Sequence, residues 1–253
     1  MTQPNDIDAQ GNQLPDEQSI DRGLEGFKLV GWGLFCTLAW FVVLLVTSVI
    51  VRMIDDSSEA ISEAGLLAFV IGQGAAGMIG WLVLPRLILR RKLRTDIITW
   101  RRPTSADVGW AVGGLIAIYA VLYAYISIVS AAGLESLEPQ STIDDDRLFV
   151  HTSVMVALGI LVIVCAPIYE EAFARGFVLG GLKPYWGMIP AFVVSAAVFS
   201  ALHADLGSLI PFAIAGVILG IVYLRTESLT AASMAHFGFN VIGFSATLYQ
   251  QLG

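Results

Sequence analysis

Charge is scarce in this chain. Of its 253 residues, 14% are charged and 56% hydrophobic, and the mean hydropathy is +0.75, far from the balance of an ordinary soluble domain. Cysteine is almost missing. Cys36 and Cys165 both lie in apolar runs, without disulfide or metal spacing, and read as buried thiols. The sequence has no Gly-rich phosphate loop, no HExxH helix and no internal repeat, which argues against nucleotide chemistry, a zincin site and a repeat-built transporter. Nothing in it points to a nucleic acid.

What is abundant is long uncharged sequence. Seven stretches lack Asp, Glu, Lys and Arg: 29–51, 64–85, 108–134, 148–169, 184–204, 206–224 and 228–253. Each reaches or approaches the ~20 residues that a helix needs to cross a bilayer. Lipid offers the backbone no hydrogen-bond partner, so helices are the expected spanning form. The expectation is an all-α polytopic integral membrane protein, a bundle of about seven, or eight, transmembrane helices, with the lipid bilayer as its first partner.

The net charge of −7 gathers in the N-terminal segment and in the loops "IDDSSEAISEAG" and "ESLEPQSTIDDD". Basic residues orient the chain. With the N-terminus in the cytoplasm, twelve of the fourteen Lys and Arg fall on that side or in the stretch leading to it, and only Arg52 and Arg147 fall outside. Residues 1–27 read as a disordered, acidic cytoplasmic tail and 28–253 as the membrane domain. The first apolar run is too long for a signal-peptide core and reads as a retained anchor. The short acidic tail and lean loops suggest a bacterial plasma membrane.

Against this background, "APIYEEAFARGFVLGG" is unusual, since it places Glu170, Glu171 and Arg175 inside apolar sequence. Later segments carry Phe199 and His203, then His236 and Asn240, each pair four apart and so on one helix face. Taken singly, each has a plain reading: an interfacial histidine, an asparagine binding helices together, a core phenylalanine. Glu171 and Arg175 make a self-neutralising pair. Glu170 points ~100° away from Glu171 on a helix of 3.6 residues per turn, and is free for other work.

Depth tests whether these groups can meet. On straight helices rising ~1.5 Å per residue, Glu170 lies roughly 20 Å from the inner turn at "KPYWG", His203 roughly 24 Å, Asn240 roughly 18 Å and His236 about 12 Å. Converging in a bundle interior, such groups mark a functional site. A deep carboxylate suits a base that takes a proton from water, and imidazole and amide groups suit donors to an oxyanion. With no Ser or Cys nucleophile matched to them, the set points to water attacking an acyl group.

The ordered set Glu170-Glu171-x-x-x-Arg175, Phe199-x-x-x-His203 and His236-x-x-x-Asn240 resembles the CPBP family of intramembrane proteases, which includes type II CAAX prenyl endopeptidases and bacterial relatives linked to bacteriocin processing or self-immunity. The resemblance covers about 148–244. It implies an intramembrane endopeptidase acting on a membrane-associated or hydrophobic peptide or protein, with Glu170 as general base, His203 assisting, His236 and Asn240 holding the oxyanion, and Glu171, Arg175 and Phe199 supporting. The family is often labelled metalloprotease. No cofactor is favoured, although Glu170, His203 and His236 form an accepted two-His, one-carboxylate zinc set. The earlier spans are expected to complete the cavity wall and admit substrate. Two other classes remain in view: a proton-coupled transporter, because buried Glu, His and Arg also build relays, and a non-catalytic membrane scaffold.

Overall fold

The computed structural model describes residues 17–54, 62–92, 100–134, 137–139, 146–203 and 206–252. Among these residues there is no strand, and seven helical rods carry the fold. They are α1 (Glu17–Ile54), α2 (63–92), α3 (Ser105–Ala131), α4 (Thr152–Trp186), α5 (Met188–Ala201), α6 (Leu206–Thr226) and α7 (Leu229–Leu252). A short 3₁₀ turn, Asp146–Phe149, leads into α4.

By length and composition α1, α2, α3, α4 and α6 can cross a bilayer. Their outward side chains are lipid-like rather than water-like: Leu38, Leu45, Ile116 and Val156 are all more than half exposed. Apolar surface of that extent requires an apolar surrounding. The remaining two rods depart from the plain span for reasons that concern the site. α5 has 14 residues, about 21 Å on a rise of ~1.5 Å, and so falls short of a ~30 Å hydrocarbon core. It stops where His203 must be delivered to the interior. α7 has 24 residues but carries His236, Asn240, Thr247, Gln250 and Gln251, which dilute its apolarity.

Residues 1–16 of the segment expected as a tail lie outside the described residues. α1 begins at Glu17, within the rest of that segment. Helix propagation adds one hydrogen bond per residue once a nucleus exists, so a long apolar helix extends outward at little cost.

Two helices widen locally. α2 passes through a π turn at Met78–Val83, and α4 through two, at Ile160–Cys165 and Ala172–Gly180. The i→i+5 pattern puts more residues into each turn and shortens the axial length they cover. The second π turn of α4 follows directly on the Glu170-Glu171 pair.

The core forms where α4 is enclosed. Phe173, Phe177, Leu179 and Leu182 on α4 are almost fully buried, against Trp81 of α2 and Leu29 of α1. Ring stacking joins Trp81 to Phe173, 5.6 Å between centroids at 17°, and Phe173 to Phe177, 5.7 Å at 8°. Gly77 lets α2 approach this cluster: a Cβ there would lie 2.6 Å from the Tyr169 ring. Between α4 and α5 the turn at Gly187 takes φ +83°, a conformation that side chains with a Cβ resist. Beyond it α5 and α6 pack closely, with no room for a Cβ at Gly220 beside Phe192.

One end of the bundle is tied by polar contacts. Arg101 donates to both carboxylate oxygens of Asp107, at 2.6 and 2.8 Å, and to the carbonyl of Thr226, at 2.8 Å. Thr230 in the first turn of α7 donates to the Arg101 carbonyl at 2.8 Å. Asp107 also closes the capping box that starts α3 at Thr104. The clasp fixes where α7 begins, and so how far along the bundle His236 and Asn240 stand.

Candidate active site

α4 supplies the acids. Glu171 and Arg175 are fully buried and paired at 2.9 Å between Oε1 and Nη1, as their i,i+4 spacing predicts. Nη2 of Arg175 donates to the Gly216 carbonyl of α6 at 2.7 Å, and its guanidinium lies 4.6 Å from the centre of the Phe199 ring. A charge this deep is tolerable because it is partnered on three sides. Among the described residues, Nε of Arg175 and Oε2 of Glu171 have no hydrogen-bond partner.

α7 brings His236 to the same carboxylate. Nδ1 of His236 lies 3.0 Å from Oε1 of Glu171, the oxygen that also receives Arg175. The carboxylate can only accept, so Nδ1 carries the proton and donates. Nε2 is thereby turned toward Glu170, 3.8 Å from its Oε2. That separation is too long for a direct hydrogen bond, and both groups line the same cavity. Straight-helix arithmetic placed all four groups in one band near mid-membrane with His236 the shallowest, and the structure brings His236 and Glu170 to within 3.8 Å. The π turn at Ala172–Gly180 accounts for the direction of the difference, since it draws Glu170 toward the inner turn.

His203 arrives at the end of α5. Its Nδ1 is 2.9 Å from the Phe199 carbonyl, which can only accept, so Nδ1–H donates and Nε2 is left as an acceptor. The bond also satisfies one of the carbonyls left open at a helix C-terminus. The ring stacks on Phe212 of α6, 3.7 Å between centroids at 15°. Phe199 thus has two contacts at once, its carbonyl on His203 and its face on Arg175, and His236 meets it edge-on at 5.4 Å.

Asn240 lies one turn beyond His236. Its Nδ2 donates to the Val162 carbonyl at 2.7 Å, inside the first π turn of α4. One N–H is therefore engaged and the second is free for a ligand. Ser233 adds a tie from α7 to the Pro167 carbonyl at 3.2 Å.

Glu170, His203, His236 and Asn240 all line one cavity of about 590 Å³. Glu171, Arg175 and Phe199 stand behind its wall. Of the earlier spans, α2 alone adds described residues to the wall, with Phe69, Val70 and Gln73. The sequence reading did not single out Phe212, the Gly216 carbonyl or Gln73. Gln73 was the one with a signal, as a polar side chain within an apolar run; the other two are contacts of residues far apart in the chain.

A zinc ion was the alternative. Among the described residues, no three His, Cys, Asp or Glu side chains converge as a group able to hold a metal ion. Glu170 and His236 approach to 3.8 Å, and His203 lines the same cavity.

Residues 152–242 match the family of type II CAAX prenyl endopeptidase Rce1-like proteins. The matched segment contains all three motifs. Among curated proteins, "Putative membrane peptidase YdiL" of Bacillus subtilis (strain 168) is 26% identical over 169 residues, which are 64% of this chain and 66% of that one. The chain thus spans just under two thirds of that relative's length. No solved structure matches. The 152–242 segment is thus similar to a membrane-peptidase family, and it is the segment whose motifs resemble the CPBP proteases.

Proposed function

We propose that this protein is an intramembrane endopeptidase that hydrolyses a peptide bond in a membrane-associated or hydrophobic peptide, with water as nucleophile and without a metal. The observation that carries the proposal is the pairing of Glu170 with His236 across 3.8 Å on the wall of a deep cavity. The family match to prenyl endopeptidases and the resemblance to a membrane peptidase support it.

The roles follow from the hydrogen-bond directions. A water held between Glu170, His236 and the acceptor Nε2 of His203 gives one proton to Glu170 as its oxygen attacks the scissile carbonyl carbon. The carbonyl oxygen becomes an oxyanion facing the free N–H of Asn240 and Nε2–H of His236 in its doubly protonated form. In that form two carboxylates, one guanidinium and one imidazolium sum to zero, which suits a medium where net charge is costly. The proton on Glu170 then passes to the leaving amine as the C–N bond breaks. Glu171 and Arg175 act through His236, holding its ring in place, and are positioning residues.

Proteolysis by the purified chain, lost in Glu170→Ala and in His203→Ala, is the expected result; wild-type cleavage by either variant overturns the reading. Activity that vanishes with chelation and returns with zinc would overturn the metal-free version. The setting proposed is a bacterial plasma membrane with the N-terminus in the cytoplasm.

A further inference from the structure

The cavity is one-sided along the bundle. Cations mark one end, with Lys183 near the close of α4, Arg225 in the last turn of α6, and Arg101 joined to Thr226 and Thr230. At the other end Glu63, which opens α2, meets His151 and Ser153 at the start of α4. The wall helices line the cavity mainly through the parts nearer Glu63, and none lines it along the turns next to the basic end. α4 lines it no further than Glu170, α6 no further than Phe212, and α7 only from His236 outward. Pro139 and Leu148, between α3 and α4 at that same end, also line it. Toward the basic end the bundle is solid: Glu171, Arg175, Leu179, Leu219 and Ala232 are fully buried.

α7 carries a graded row into this space. His236, Asn240, Gly243, Thr247 and Gln250 all line the cavity, at alternating spacings of four and three that keep them on one helix face. Asn240 and Gln250 offer hydrogen bonds, Thr247, whose hydroxyl donates to the Gly243 carbonyl at 3.2 Å, offers an acceptor, Gly243 leaves width between them, and Gln73 of α2 lines the same cavity. The rest of the wall is mainly apolar. An extended peptide in a low-dielectric cavity needs partners for its backbone groups and apolar contact for its side chains. A polar row within an apolar wall provides both.

We infer that the substrate is an apolar peptide segment already on the side of the membrane away from the basic end, and that it enters lengthwise along α7 to reach Glu170. The word substrate rests on the peptidase reading above. Which side is which rests on the distribution of Lys and Arg, and makes the mouth extracytoplasmic. A peptide tail offered from the basic face meets the packed half of the bundle instead.

The test uses the full chain in intact cells, with Cys36→Ala and Cys165→Ala removing the native thiols. Thr247→Cys and Gln250→Cys, at two depths of the row, should each react with a membrane-impermeant maleimide added outside. Lys183→Cys should react only after permeabilisation. Thr247→Cys and Gln250→Cys labelling only after permeabilisation, or not at all, overturns the inference, as does Lys183→Cys labelling from outside. A second arm places one apolar target segment on either side of a single-span reporter, expecting cleavage of the exported copy alone. Cleavage of the cytoplasmic copy overturns the entry route. Outside labelling with neither reporter cut overturns the peptidase reading, and with it the peptide substrate, while the outward mouth stands.

Discussion

Oε1 of Glu171 is shared by two donors, Nδ1 of His236 at 3.0 Å and Nη1 of Arg175 at 2.9 Å. Through that one oxygen, α4 fixes the ring that faces Glu170 from α7, and the guanidinium that is anchored to α6 locks the carboxylate in turn. Glu171 is therefore the joint of the site, although the proposed chemistry occurs on its neighbour.

Removing the joint should damage fold and activity together. Glu171→Ala leaves Arg175 buried without its counter-charge, a loss of about 3–5 kcal/mol by analogy with broken buried pairs. Thermal unfolding in detergent should show a lower Tm, and cleavage should fall even at temperatures where the variant stays folded. Arg175→Lys should not restore the wild-type Tm, because a point charge cannot serve Glu171 and the Gly216 carbonyl with one planar fork. Unchanged stability in Glu171→Ala would show that the pair does not hold this part of the bundle.

Asn240 is predicted to act as a donor in the transition state. Asn240→Ala should lower kcat by about 10²- to 10³-fold, the usual loss for one oxyanion-hole donor, with KM little altered. Asn240→Asp, nearly isosteric, should fare no better, since an ionised carboxylate donates neither to the Val162 carbonyl nor to an oxyanion. Steady-state kinetics on a fluorogenic peptide separates the two parameters; wild-type kcat in Asn240→Asp would remove the residue from the oxyanion site.

The approach of α2 to α4 gives a test of packing alone. A Cβ at Gly77 would stand 2.6 Å from the Tyr169 ring, next to Glu170, so Gly77→Val should cost about 1–3 kcal/mol as overpacking and depress activity with it. Gly109→Val is the control, since nothing lies within 4 Å of a Cβ there. Comparing the two by thermal melting in the same detergent checks the contact; equal Tm values would contradict it.

Much of this site was legible because helical periodicity is local. The four-residue spacing of Glu171 and Arg175 predicts their ion pair, and the ~100° offset of Glu170 predicts a carboxylate free to face elsewhere. The cavity confirms that divergence, with Glu170 on its wall and Glu171 behind it. Spacing cannot report what the tertiary fold decides. The bond from His236 to Glu171 joins residues 65 apart, and that from Arg175 to Gly216 residues 41 apart. The π turns of α4 were equally hidden, and they shift depth by an amount that straight-helix counting misses. The uncharged run 184–204 gave no sign that its helix would stop at Ala201, short of a full crossing. That stop is set by the Phe199 carbonyl taking His203 as its partner, and by Phe212 receiving the ring.

The central claim is that Glu170 is the base. The direct measurement is cleavage of a peptide by purified, reconstituted wild type, Glu170→Ala and Glu170→Gln, with equal Tm as the check on folding. Loss of at least about 10²-fold in both variants is predicted, the lower range for a general base. Cleavage by Glu170→Gln at the wild-type rate would contradict the account.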